Sequence, residues 1–127
     1  MPIVQILGLP NDVADTPQLE ELVLRVIPNV VAGIPELGLT SDQVTTFIQR
    51  DLLGARLGMD IIVIVTGLFV GPSKPSRTKE VRQALCEVLK GVMLCFALEY
   101  VPHCKLIEVF PQCLSDEEAF ASWREKE

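Results

Sequence analysis

A chain of 127 residues is long enough for one domain of ordinary size and too short for two independent cores. Its 17 acidic and 11 basic residues give a net charge of −6, which argues against nucleic acid or an anionic membrane as the main partner. Hydrophobic residues make up 49% of the chain, and the mean hydropathy is +0.36. A small monomer does not readily bury this much apolar material, so the composition predicts a buried subunit interface.

No segment of the sequence has the features of a membrane span or a signal peptide. The most apolar run, residues 61–70, is about half of the roughly 20 residues that a bilayer requires. The first residues, Met1-Pro2-Ile3-Val4, provide no basic region and no small-residue cleavage site. We therefore expect a cytoplasmic protein without a membrane partner.

The four cysteines follow one another at nine-residue steps, at Cys86, Cys95, Cys104 and Cys113. On a helix, nine steps of about 100° place Cys86 and Cys95 on opposite faces, where they cannot share a metal ion. The sequence contains no CxxC, and the single histidine, His103, has only Cys104 as a neighbouring soft ligand. We expect no metal site and thiols that are reduced and mostly buried.

The first half of the chain predicts a strand, a helix and a second strand. Residues 2–9 (PIVQILGL) are rich in β-forming residues and end in a turn. Thr16 is a suitable N-cap with Pro17 in the first helical position, and apolar residues follow at steps of three and four. This amphipathic helix should kink at Pro28. The β-branched run at 43–52 predicts the second strand.

The second half predicts the same order of elements. Residues 61–70 (IIVIVTGLFV) are continuously apolar, as expected of a central strand that is covered on both faces. Ser76 can cap a second helix, residues 105–110 (KLIEVF) predict a fourth strand, and Ser115 with Glu118 resembles a capping box before a short final helix. The second helix should bury one apolar stripe, which consists of Val81, Ala84, Leu85, Val88, Leu89, Val92, Met93 and Phe96.

One constant shift along the chain, which places Gly8 on Gly67, aligns the strands and helices of the two halves. We call it the repeat shift. It predicts an α/β (α+β) fold in which two pseudo-repeated, right-handed βαβ units form one four-stranded sheet with both helices on one face. The whole chain would be a single domain. Its repeats would span about 2–53 and 60–112, followed by a C-terminal tail at 113–127.

Pro2 is the first candidate for a catalytic residue. Removal of Met1 before this small residue leaves Pro2 as a free secondary amine at the head of a strand. An α-amino group has a reference pKa of about 7.7 to 8.0, and an apolar environment lowers that pKa toward neutrality. The amine can then act as a general base. A proline without a chemical role at the second position is the alternative interpretation.

Two local motifs, together with Pro2 and the repeat, resemble the tautomerase superfamily. Residues 14–19 (ADTPQL) fit an A-D-x-P-x-L entry to the first helix, and residues 77–83 (RTKEVRQ) fit R-x-x-E-x-R-Q at the head of the second. The resemblance extends from Pro2 to about Pro111, and the layout is most similar to 5-carboxymethyl-2-hydroxymuconate isomerases. It implies a trimeric fold without a cofactor, in which the amino-terminal proline is the catalytic base or acid.

The predicted topology brings a cationic loop to Pro2. When two βαβ units are related by pseudo-symmetry, the first and third strands are antiparallel, so the loop at 71–77 lies over Pro2. Arg77 lies near the start of a helix, where free backbone N–H groups and the helix dipole favour an anion. We expect Arg77, assisted by Lys74, to bind a carboxylate. A solvated arginine in the first helical turn is the alternative.

Other candidates for substrate binding lie in the predicted strands. Phe110, near the end of the fourth strand, is a candidate pocket wall or else a core or interface aromatic, and Gln43 is a candidate for positioning substrate or water. Residues 39–43 contain no arginine, although the resemblance implies one at the start of strand two. Under the repeat shift Arg77 aligns with Gln18, which predicts one site per chain.

The sequence therefore predicts a tautomerase or isomerase that needs no cofactor and assembles as a homotrimer. It would catalyse keto-enol proton transfer on a small 2-oxo or 2-hydroxymuconate-like carboxylic acid, with Pro2 as general base and acid and Arg77 as the carboxylate clamp. Two alternatives stay open. One is a decarboxylase or dehalogenase of the same superfamily, and the other is a non-catalytic, ferredoxin-like ligand-binding or regulatory trimer.

Overall fold

The computed structural model describes residues 2–13, 16–49, 59–72 and 74–115. These residues form six strands: β1 (Ile3–Leu7), β2 (Thr45–Gln49), β3 (Asp60–Thr66), β4 (Phe69–Val70), β5 (Leu106–Pro111) and β6 (Leu114–Ser115). Helix α1 spans residues 17–32, and helix α2 spans Lys79–Tyr100. Short 3-10 turns at Asn11–Val13, Pro35–Leu37 and Ser41–Gln43 lie in the connections.

The main sheet has the strand order β2-β1-β3-β5. Strand β1 pairs in parallel with β2, β3 pairs in parallel with β5, and the two halves meet through the antiparallel pair of β1 and β3. The predicted fold class is thereby confirmed. The ferredoxin-like topology of the non-catalytic alternative is wrong, because a split βαβ unit separates its two parallel strands, whereas here they are directly hydrogen-bonded.

One face of the sheet forms the hydrophobic core with the two helices. The side chains of Val4, Ile6, Ile61, Val63 and Val65 alternate along β1 and β3 and are 0% exposed. The helices complete this core with Leu19, Leu22, Ile27, Val31, Leu85, Leu89 and Met93. Both helices therefore lie on the same face of the sheet, as predicted.

The other face of the sheet carries apolar side chains that neither helix covers. Phe47, Leu106 and Phe110 are 51%, 41% and 45% exposed. The half-buried Ile62 and Ile64 of β3 lie on the same face. We call this surface the open sheet face. A group of large, exposed apolar side chains is typical of a protein interface.

Helix α1 begins as predicted and contains a π-helical turn. The Thr16 hydroxyl accepts a hydrogen bond from the Leu19 N–H at 3.3 Å, and Pro17 occupies the first turn. Residues Leu22–Val26 form the π-helical turn directly before the segment that contains Pro28. A proline lacks an N–H and clashes with the carbonyl four residues earlier, and a wider turn relieves this clash. The irregularity predicted at Pro28 therefore takes the form of a π-turn.

Helix α2 begins two residues later than a cap at Ser76 would place it. Thr78 is the N-cap, and its hydroxyl accepts a hydrogen bond from the Val81 N–H at 3.3 Å. The predicted Ser76 cap is wrong, because the Ser76 hydroxyl donates instead to the Glu36 carbonyl at 2.7 Å. Among the described residues, no helix is both long enough and apolar enough to cross a bilayer.

Three other predicted features differ from the structure. The second strand, predicted at 43–52, begins later, at Thr45, and is described as far as Gln49, since residues 50–52 lie outside the described residues. The apolar run at 61–70 is divided, because the chain leaves β3 after Thr66 and forms β4, which pairs with β6 in a separate two-stranded sheet. Ala84 and Val88 are exposed, so their place in the buried stripe of α2 is wrong. The predicted final helix lies outside the described residues.

Gly8 and Gly67 end the two central strands in the same conformation. Their φ angles of 93° and 75° lie in the left-handed region. At Gly8 an added Cβ would lie 1.9 Å from the carbonyl oxygen of Asp60, where β3 begins. Glycine is thus required at Gly8 both by its conformation and by the close approach of the backbone. The repeat shift is confirmed for β1 and β3.

The same shift fails beyond the central strands. The helix N-caps Thr16 and Thr78 are further apart in the sequence than Gly8 and Gly67 are. Thr45 pairs with a residue of β1, and Glu108 pairs with the equivalent residue of β3. Thr45 and Glu108 are also further apart in the sequence than Gly8 and Gly67 are. The prediction that one shift superposes all elements is therefore wrong. The second half has extra residues between β3 and α2, in the segment that forms β4 and the turn after it.

Candidate active site

Pro2 lies buried at the start of β1, one of the two central strands. Its carbonyl accepts a hydrogen bond from the Thr45 N–H at 3.2 Å, which joins the start of β1 to the start of β2. On the other side, Ile3 pairs with Thr66 at the end of β3. The predicted antiparallel arrangement of the first and third strands is confirmed. The chain that leaves β3 therefore begins beside Pro2.

Arg77 is the buried charged residue among the described residues, with 9% of its surface exposed. Its guanidinium donates three hydrogen bonds to backbone carbonyls. Nε and Nη2 bind the Leu37 oxygen at 3.2 and 2.8 Å, and Nη1 binds the Phe69 oxygen at 3.0 Å. The alternative of a solvated arginine in the first helical turn is wrong, because Arg77 precedes the N-cap and turns inward.

The acceptors of Arg77 belong to the two segments that flank Pro2. Leu37 ends the 3-10 turn Pro35–Leu37 in the connection from α1 to β2, and Phe69 follows the end of β3. The adjacent bond from Ser76 to the Glu36 carbonyl strengthens the same junction. Arg77 therefore fastens the α1–β2 connection to the chain that leaves β3, at the end of the sheet where Pro2 lies.

The Arg77 guanidinium retains capacity to bind an anion. An arginine has five N–H donors. Three are used on carbonyls, and the two that remain, one on each Nη, have no acceptor in the described parts of the chain. Nor does Arg77 form an ion pair there. Burial lowers the pKa of Arg77, and the nearby Cys113 partly opposes this change. A buried cation without an anionic partner is energetically unfavourable, so a bound carboxylate would stabilise it.

Lys74 and Gln43 lie in short turns near this junction. Lys74 is exposed, and its carbonyl accepts the Arg77 N–H at 3.1 Å in a turn that begins at Gly71. Gln43 is also exposed, and its side-chain oxygen accepts the Thr40 N–H at 2.9 Å. Gln43 thus caps the turn before β2, and its amide nitrogen is the part of the side chain left for another partner.

Phe110 lies on the open sheet face. It pairs with Ile64 of β3, and Ile64 in turn pairs with Gln5, on the face opposite the buried Val4. Within one chain the sheet therefore separates Phe110 from the helix-covered face. Phe110 is an exposed sheet-face aromatic and does not belong to the core.

No protein-family model matches the sequence, and no curated protein matches it significantly. Solved structures do match. A wild-type fused 4-OT, a symmetric trimer, has a TM-score of 0.62 at 15% identity over 94% of this chain and 91% of that chain. A 5-carboxymethyl-2-hydroxymuconate isomerase from Deinococcus radiodurans R1 has a TM-score of 0.61 at 16% identity over 99% of this chain and 90% of that chain. Pt0534 inactivated by 2-oxo-3-pentynoate has a TM-score of 0.57 at 14% identity over 87% of this chain and 86% of that chain. The chain has the tautomerase-superfamily fold.

The four cysteines of this tautomerase-like fold are free thiols. Cys86 is buried and Cys95 is exposed, so the prediction that they lie on opposite helix faces is confirmed. Cys104 and Cys113 are partly buried against the core, so the prediction of mostly buried thiols is wrong for Cys95. Burial, followed by the effects of Cys113 and Glu87, raises the pKa of Cys86. Within the described ranges, no three His, Cys, Asp or Glu side chains form a cluster that could hold a metal ion.

Sequence reasoning missed the two carbonyl acceptors of Arg77. A backbone carbonyl has no residue signature, so neither Leu37 nor Phe69 could be identified from its type. The extra residues after β3 also change the repeat partner of Arg77. When the two helix N-caps are superposed, Arg77 aligns with Asp15 instead of Gln18. Asp15 lies outside the described residues.

Proposed function

We propose that the chain is a tautomerase that needs no cofactor and acts on a small 2-oxo or enol carboxylic acid. The observation that carries the proposal is the buried guanidinium of Arg77, which has two N–H groups without an acceptor among the described residues. It lies at the junction of the segments that flank Pro2. A cation at this position suits a carboxylate substrate whose reacting atoms lie next to the Pro2 nitrogen.

In this mechanism Pro2 transfers one proton. After removal of Met1, the Pro2 nitrogen takes the proton from the enol oxygen and returns it to a carbon of the conjugated system, so the substrate gains and loses nothing overall. The two free N–H groups of Arg77 hold the substrate carboxylate and stabilise the negative charge of the dienolate. Lys74 adds positive charge from the exposed turn.

We further propose that the chain forms a homotrimer through the open sheet face. Phe47, Leu106 and Phe110 leave this face apolar and exposed, and the similar fused 4-OT is itself a trimer. Association of this face would remove its apolar surface from water and account for the high apolar content of the chain. Across this interface, Phe110 would approach the substrate of a neighbouring chain.

Ketonisation of phenylenolpyruvate and of 2-hydroxymuconate tests the proposal. Pro2→Ala should lower kcat/KM by about 10²- to 10⁴-fold, the usual contribution of a positioned general base. Lys74→Ala should raise KM with little change in kcat, because Lys74 is exposed and contributes only charge. Lys79→Ala, on the exposed start of α2, is the matched control and should behave as the wild type. Equal rates for the wild type and Pro2→Ala would exclude the mechanism.

The mass of the intact protein provides a separate check. The mechanism requires a free Pro2 amine, so the measured mass should lack Met1. A retained Met1 would convert the Pro2 nitrogen into an amide without basicity, and the proposed chemistry could not occur.

A further inference from the structure

A groove crosses the helix layer, on the side of the molecule away from the open sheet face. Its volume is about 610 Å³, within the range of small-molecule binding sites. Leu22 and Val26 of α1 and Val92, Phe96 and Tyr100 of α2 line its floor. We call it the helix groove. It lies apart from Pro2 and Arg77, which do not line it.

Gly91 keeps the helix groove wide. It lies in the interior of α2, where glycine is less favourable than alanine. Its φ is not positive, and an added Cβ would meet no atom within 4 Å. Neither the backbone conformation nor helix packing therefore requires a glycine here. The missing side chain leaves open space next to Val92 and Cys95, two further lining residues.

The charged residues that line the helix groove are both acidic. Glu21 and Glu99 are exposed at its rim. Arg25 forms an ion pair with Glu21 at 3.3 Å, but the two side chains are 72% and 50% exposed, so this pair is weak. The rim is therefore electrostatically suited to a cation and unsuited to an anion.

The end of the groove near Glu99 is aromatic. The ring centroids of Phe96 and Tyr100 are 4.9 Å apart, with the planes tilted by 45°. Glu99 and Tyr100 both line this end of the groove. Burial and the Glu99 carboxylate raise the pKa of the Tyr100 phenol. An ammonium group over an aromatic ring and next to a carboxylate gains from both contacts.

We propose that the helix groove binds an organic ammonium ion that carries an apolar chain or ring. The ammonium group lies between Glu21 and Glu99 at the aromatic end, and the apolar part fills the floor beside Gly91. This ligand differs in charge from the carboxylic acid proposed for the Pro2 end of the sheet, so the two sites do not compete.

Calorimetric titration of the full chain with three matched eight-carbon probes tests this proposal. Octylamine, used below its micelle-forming concentration, should bind about tenfold more tightly than 1-octanol, the difference expected from one charge-assisted aromatic contact. Octanoate should bind most weakly. Glu99→Gln should reduce the affinity for octylamine severalfold, whereas Glu20→Gln, which is exposed on α1 outside the groove, should leave it unchanged.

Gly91→Leu and Ala84→Leu form the second matched pair. The Gly91→Leu side chain would occupy the groove and abolish octylamine binding, although the melting temperature should not fall because no glycine is required there. Ala84→Leu places the same side chain at an exposed position of α2 outside the groove and should bind octylamine as the wild type does. Normal binding by Gly91→Leu would overturn the proposal, as would equal affinities for octylamine and 1-octanol.

Reactivity of Cys95 provides a readout that does not depend on heat of binding. This exposed thiol lines the groove. Bound octylamine should slow its reaction with an uncharged disulfide reagent, and the same concentration of octanoate should not. Equal protection by the two probes would contradict the charge preference that the proposal requires.

Discussion

Replacement of Arg77 by methionine tests whether the guanidinium fastens the two connections at the Pro2 end of the sheet. Methionine keeps the apolar stem and removes the three hydrogen bonds to the Leu37 and Phe69 carbonyls. Each buried carbonyl that loses its donor costs about 1–3 kcal/mol. Because Phe69 is only partly buried, water can replace some of its loss. We therefore expect the free energy of unfolding to fall by about 2–4 kcal/mol.

Urea unfolding at one fixed protein concentration measures this change through the midpoint and slope of the transition. Lys74→Met, an exposed cation in the same turn, is the control and should change stability by no more than about 0.5 kcal/mol. The loss of stability in Arg77→Lys should lie between those of Arg77→Met and Lys74→Met, because one ammonium group cannot reproduce the planar guanidinium that reaches both carbonyls. If Arg77→Met lowers the free energy of unfolding no more than Lys74→Met does, the guanidinium does not join these two segments.

Two further predictions concern Gly8 and the cysteines. Gly8→Ala should destabilise the fold by more than about 3 kcal/mol in the same urea assay, because its Cβ would overlap the Asp60 carbonyl. Gly38 also has a positive φ, but an added Cβ there would meet no atom within 4 Å, so Gly38→Ala should cost only about 1 kcal/mol of stability. Equal losses of stability in the two variants would contradict the overlap at Gly8. With an uncharged disulfide reagent, peptide mapping should find Cys95 modified first and Cys86 last, because burial shields Cys86 and raises its pKa; comparable rates would contradict this.

Local signals predicted the parts of the fold that local physics decides. Thr16 and Pro17 mark the start of α1 because a hydroxyl cap and a fixed φ act within one turn. The antiparallel contact of the first and third strands follows from two similar βαβ units in one sheet, and it placed the chain after β3 beside Pro2. Composition predicted a buried subunit interface, and the single chain leaves Phe47 and Phe110 exposed on the open sheet face.

Features that depend on distant contacts could not be predicted in this way. Ser76 and Thr78 are both suitable caps by residue type, and the tertiary bond from Ser76 to the Glu36 carbonyl decides between them. The burial of Arg77 depends on carbonyls of Leu37 and Phe69, and Leu37 is distant from Arg77 in the sequence. The repeat shift could not detect the extra residues after β3, because hydrophobic patterns align over short segments whatever the loop length.

The most direct test of the account is the atom that 2-oxo-3-pentynoate modifies, since this compound inactivates the similar Pt0534. The Pro2 nitrogen would add to the triple bond, forming a C–N bond while its proton moves to the neighbouring carbon. Peptide mass spectrometry should find one equivalent on Pro2, formed more slowly in Arg77→Lys, and no comparable adduct from 3-pentyn-2-one, which lacks the carboxylate. Modification of cysteines alone would contradict a reactive amine at Pro2. Equal labelling of Pro2 by both compounds would contradict a neighbouring arginine that binds the carboxylate.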